Sequence, residues 1–60
     1  MNFGTLQIGS IFERFDSKRN LQQGIKISDT QCFEVYTYKI KEIKEDYPVT
    51  FLADRIRLEN

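Results

Sequence analysis

The residues with the greatest chemical reach lie between Tyr36 and Lys44. Tyr36 and Tyr38 lead into a run of amines, Lys39, Lys41 and Lys44, with Glu42 among them. Three lysines against one glutamate give this stretch a local charge of +2. Aromatic rings stack on bases and other flat ligands, and amines contact phosphates. The same composition also suits an ordinary exposed strand, because tyrosine favours strands and lysine blunts open edges. Arg55 and Arg57, with Lys18 and Arg19, offer a second basic rim. The partner-binding candidates are therefore Tyr36, Tyr38, Lys39, Lys41, Arg55 and Arg57.

Catalysis has little to draw on. The chain has no histidine, so no Ser–His or Cys–His pair can form. Its one cysteine, Cys32, stands between Gln31 and Phe33 with no basic neighbour to activate it. It reads as a small apolar strand residue. The adjacent carboxylates Glu45 and Asp46 would point to opposite faces of a strand or be solvated in a loop. Asp29 after Ser28 reads as a turn residue. Gly4, Gly9 and Gly24 are too far apart for a phosphate-cradling loop. A lone cysteine cannot form an internal disulfide, nor can it supply the four N/S ligands of a structural zinc site. No enzyme activity, cofactor or metal is expected.

These side chains must be positioned by very little protein. Sixty residues make one domain, and a chain this short buries only about 60% of the surface its unfolded form exposes. Nine basic residues balance nine acidic ones, and neither half is a charged arm. The footprint of a general nucleic-acid binder is missing. No apolar run approaches the roughly 20 residues of a membrane span, and no signal-peptide pattern opens the chain. The expectation is a cytoplasmic protein in a reducing compartment, self-association being compatible with its size.

The hydrophobic pattern is that of short strands. Leu6 and Ile8 alternate with Gln7 and suggest an early strand, and Ile11–Phe15 follows with imperfect alternation. Residues 16–23 read as a polar loop. Ile25 and Ile27 define one face of the next strand; Phe33 and Val35 define one face of another. After Tyr36 the phase slips by one residue, which marks a turn near Thr37-Tyr38-Lys39. Lys44 to Pro48 is a further break. Val49 and Phe51 then alternate with Thr50, Ala53-Asp54-Arg55 reads as a helical turn, and Ile56 and Leu58 alternate with Arg57. The expected core is Phe12, Ile25, Ile27, Phe33, Val35, Ile40, Val49, Phe51, Ile56 and Leu58. The expected fold is all-β, a small SH3-like barrel or a strongly bent antiparallel sheet of five to six strands.

Three stretches carry a resemblance across most of the chain. They are Ile8-Gly9-Ser10-Ile11-Phe12, Ile25-Lys26-Ile27-Ser28-Asp29 and Cys32-Phe33-Glu34-Val35. Together they resemble small SH3-like proteins of phage and bacteria, which open on a G-x-x-F strand and end a later strand on K-x-S-D. One departure stands out: that pattern carries glycine in the hairpin turn, where this chain has Thr37-Tyr38-Lys39. Tyr47-Pro48-Val49-Thr50-Phe51, followed by Ala53-Asp54-Arg55, is similar to the closing strands of SH3-like accessory subunits of photosynthetic complexes. The resemblance implies a non-enzymatic interaction protein that binds a protein partner through exposed aromatics, loops or an edge strand. The alternative is a nucleic-acid-binding barrel using Tyr36, Tyr38 and the nearby lysines.

Overall fold

The computed structural model describes residues 1–54. A short 3-10 turn, Phe3–Thr5, precedes five strands: β1 (Ile11–Phe15), β2 (Leu21–Lys26), β3 (Gln31–Glu34), β4 (Lys39–Glu42) and β5 (Thr50–Ala53). They form one antiparallel sheet in the order β4-β3-β2-β1-β5. The first four strands are a meander, and the fifth returns beside the first. This is the all-β architecture expected. Strands β4 and β5 are the two edges.

Several local expectations are corrected. Residues Leu6–Ile8 do not form a strand. The 3-10 turn instead brings Phe3 and Leu6, three residues apart, into the core, and Gly9 then turns the chain at a φ of 98°. The polar loop is shorter than residues 16–23, because Leu21, Gln22 and Gln23 pair with β1. Asp16 closes that loop: its Oδ1 accepts from the amides of Lys18 and Asn20, both at 2.9 Å. Those bonds, Asn20 foremost, hold the Asp16 carboxyl below its ordinary value. Ala53 belongs to β5 rather than to a helical turn. Arg55, Ile56 and Leu58 lie outside the described residues.

The larger correction concerns which face of the sheet is buried. The core is Phe3, Leu6, Phe12, Cys32, Ile43 and Val49, with Tyr47 packed against it. Phe3 and Phe12 meet edge-to-face, with ring centroids 5.3 Å apart. Of the expected core residues that are described, only Phe12 and Val49 are buried. Ile25, Phe33 and Val35 are only partly buried, and Ile27, Ile40 and Phe51 are exposed. On β2 the buried positions are Gly24 and Lys26; on β3 they are Cys32 and Glu34. The period-2 rule then sends Ile25 and Phe33 to the opposite face.

Two polar arrangements make the inverted register possible. Lys26 is only 2% exposed. Its Nζ donates to the carbonyls of Phe3 (3.0 Å) and Leu6 (2.8 Å) and lies 4.7 Å from the centre of the Phe3 ring. Arg14 and Glu34 form a buried ion pair: Nε donates to Oε2 at 3.0 Å, and Nη2 donates to the same oxygen. Burial works against the Arg14 charge, but the Glu34 carboxylate outweighs it and holds the guanidinium above its ordinary value. Gly24 fits this crowded face because it has no Cβ; one would lie 3.2 Å from the Phe12 ring and 3.1 Å from the Phe33 carbonyl.

The N-terminal segment and residues 43–49 cover this face together. The amides of Phe3 and Gly4 donate to the carbonyls of Tyr47 and Glu45, and Val49 donates to Met1, each at 2.8 Å. Asn2 and Pro48 form a β-bridge. No helix or strand among the described residues crosses the other face.

Two stability outcomes follow from this register. Phe12→Ala should cost about 3–5 kcal/mol, as core phenylalanines do, and Phe33→Ala clearly less. Equal losses in chemical denaturation would show that Phe33 is core after all. Lys26→Met should cost about 2 kcal/mol or more, because the buried Leu6 carbonyl loses its donor and the Phe3 carbonyl keeps only the Leu6 amide. An unchanged denaturation midpoint in that variant would remove Lys26 from the account.

Candidate interaction surface

The β3–β4 connection spans residues 35–38, between the closing pair Glu34 and Lys39. The Tyr38 amide donates to the Glu34 carbonyl at 2.9 Å. Tyr38 has a φ of 56°, in the left-handed region where glycine or asparagine is favoured. This is the turn in which the sequence departs from the glycine of the pattern it resembles. Tyr38 is also 81% exposed and Tyr36 62% exposed. A bulky residue is held in a conformation that costs about 1 kcal/mol or more and is then presented to solvent.

Tyr38 is not isolated. Its ring lies 6.3 Å from that of Phe33, tilted by 49°. Phe33 stands opposite Ile25 on one side and Ile40 on the other. Ile25 stands opposite Ile11, and Ile11 opposite Ala53. The turn thus opens onto the face of the sheet that no described helix or strand covers. Ile40 is 60% exposed there.

The sheet separates the candidate lysines from this aromatic pair. Lys39 stands opposite Glu34 and Lys41 opposite Cys32, so both belong to the covered side. There Lys41 lines a cleft with Arg14, Asp16, Glu34 and Tyr47, and Lys18 and Lys44 line it too. Tyr47 secures the cleft wall: its hydroxyl donates to the Phe15 carbonyl, and its ring lies 5.4 Å from the Arg14 guanidinium. Cations and carboxylates alternate around this cleft, and its most deeply placed cation, Arg14, is neutralised by Glu34. The structure therefore brings together Tyr38, Phe33 and Ile40, and places Lys39 and Lys41 on the other side. Arg55 and Arg57 lie outside the described residues.

Sequence reasoning places Phe33 and Ile40 in the core and names Ile11 neither as core nor as a surface candidate; the strand parity the three share is the available signal.

Among the described residues no three metal-ligating groups converge. No helix there is long and apolar enough to cross a membrane. Cys32 is fully buried, and burial, reinforced by the nearby Glu34 charge, pushes its thiol up to about 11. Folded protein at neutral pH should resist thiol reagents and react fully only in denaturant. Rapid labelling of native protein would show that β3 opens readily. Compared with known protein families, with curated proteins and with solved structures, the chain finds no match in any of the three.

Proposed function

We propose that this chain is a small non-enzymatic interaction protein that docks on a protein partner through Tyr38 and the apolar face beside it. The observation that carries this reading is Tyr38 itself. A tyrosine in the left-handed region, 81% exposed, burdens the fold locally and gives it little packing in return. Tyrosine is a favoured anchor at interfaces, because it buries a large rigid ring and keeps a polar tip. Its placement beside Phe33 and Ile40 makes it part of a wider apolar surface. The buried, free Cys32 fits a reducing, cytoplasmic setting.

Nucleic-acid binding is the competing reading, and the geometry weighs against it. Stacking rings and phosphate-binding amines must share one track along a strand of nucleic acid. Here Tyr38 lies with Phe33 on one face, and Lys39 and Lys41 on the other.

A photo-crosslinking residue in place of Tyr36, used in the native host, identifies what lies against the turn. Tyr38→Gly is the decisive variant. It relieves the left-handed strain, so stability should be unchanged or raised by up to about 1 kcal/mol. Affinity for the purified crosslinked protein should fall at least about tenfold, or about 1.4 kcal/mol. Unchanged affinity with an intact fold would remove Tyr38 from the interface. Crosslinks to nucleic acid, with binding that collapses as salt rises and depends on Lys39, Lys41 and Lys44, would favour the competing reading.

A further inference from the structure

The open face carries one continuous apolar row across every strand. In register it runs Ala53, Ile11, Ile25, Phe33, Ile40, from β5 to β4. None of the five is fully buried within the chain. Every lysine and arginine on a described strand falls on the other side. Lys26 and Arg14 are tied into the covered face, and Lys39 and Lys41 share the parity of Glu34 and Cys32. Among the described strand residues the open face holds two carboxylates, and both flank the row. Glu13 accepts from Gln23 at 3.1 Å, and Glu42 from Gln31 at 2.8 Å.

We propose that this row closes on the same row of a second copy of the chain, face to face, about a two-fold axis. The proposal rests on the docking reading above and names the occupant of that surface. Domains are ordinarily built from two packed layers, and the described residues supply a layer on a single side of this sheet. A charge-free strip is complementary to itself. An axis parallel to β2 sets Ile25 against Ile25, Ile11 against Phe33, and Ala53 against Ile40, so the smallest residue meets one of the largest. No carboxylate then faces its own counterpart, because Glu13 and Glu42 flank opposite sides of the row on different strands. An edge-to-edge dimer through β4 is disfavoured by charge. Centring antiparallel pairing on Ile40 would bring Lys39 against Lys41, and centring it on Lys41 would bring Lys41 against itself.

The size of the face sets the strength. Five strands about 4.8 Å apart and about five residues long span roughly 20 by 16 Å in plan. In plan that is roughly 320 Å² per copy, below the roughly 500–600 Å² per partner of small specific interfaces, so the dimer should be weak, with a Kd of roughly hundreds of micromolar.

Sedimentation of the full chain from about 1 to about 500 µM tests this directly, because mass action shifts a weak dimer across that range. The mass should rise from 7.2 kDa toward twice that value. Dilution of the native chain, followed by NMR, should move the amide signals of Ile11, Ile25, Phe33 and Ile40 first. Ile25→Lys puts a charge at the centre of the row and should leave a folded monomer at every concentration. A native chain that stays monomeric overturns the proposal. So does a dimer whose shifts map to the β4 or β5 edge, or one that persists in folded Ile25→Lys. If that variant does not fold, the dilution map still decides. A monomer that nonetheless binds a different protein through Tyr38 overturns the second copy alone and leaves the docking reading standing. Loss of that docking reading shows separately, as unchanged partner affinity in Tyr38→Gly.

Discussion

The Lys26 side chain enters the space between the sheet and the N-terminal segment. There its Nζ satisfies two carbonyls and lies against the Phe3 ring. Lysine is almost never fully buried unless its polar end finds partners, and those two carbonyls provide them. With Lys26 inward on β2, its register partner Cys32 is inward on β3, and Glu34 two residues on is inward as well. Glu34 then finds Arg14 across the sheet. One buried amine therefore accompanies a chain of placements that ends with Ile25 and Phe33 on the outside. A slip of one residue in this register would bury the isoleucines, expel Lys26 and break the ion pair together.

The inner face is held as much by polar geometry as by apolar volume. Among the described residues six hydrophobic side chains form the core, and the spaces beside them contain Lys26, Arg14, Glu34 and Ser10. A buried ion pair adds little net stability over an apolar pair of the same shape, because both charges have been taken out of water. Removing one partner alone is costly. Here the pair forms in only one of the two registers, and the alternative arrangement is unusually accessible. Both parities of β2 and β3 contain residues able to line a core.

That ambiguity marks what could be read from the residues. Most of the strands were legible, since runs of β-formers are separated by polar breaks such as Asp16 to Asn20, Ser28 to Thr30 and Lys44 to Pro48. The turn at Thr37-Tyr38-Lys39 was legible from the phase slip, and Tyr38 does project there at positive φ. The parity of Ile25 and Phe33 was not legible. Isoleucine and phenylalanine alternating with lysine and glutamate is the ordinary signature of a face turned inward, and only the partners of Lys26 and Glu34 reverse it. Those partners lie 20 or more residues away in sequence. Phe3 and Leu6 escaped notice for a related reason: they reach the core from a 3-10 turn, whose three-residue spacing does not show as strand alternation. The separation of Tyr38 from Lys39 and Lys41 was in principle present in the alternation after Tyr36, which places Tyr38 and Ile40 on one face and the lysines on the other.

The clasp between the start of the chain and residues 45–49 has a consequence for the order in which the molecule assembles. Strands β1 to β4 are joined by short connections, and their pairings are local. The cover over the core is not local. It joins Phe3 to Tyr47, Gly4 to Glu45 and Met1 to Val49, across more than forty residues. Bringing such distant segments together carries a loop entropy that local hairpins do not, though it grows only slowly with length. The meander can therefore form while both of its faces are still wet. Water leaves the Phe12 side only when the two remote segments meet over it. The beginning of the chain thus waits, during folding, for almost all the rest.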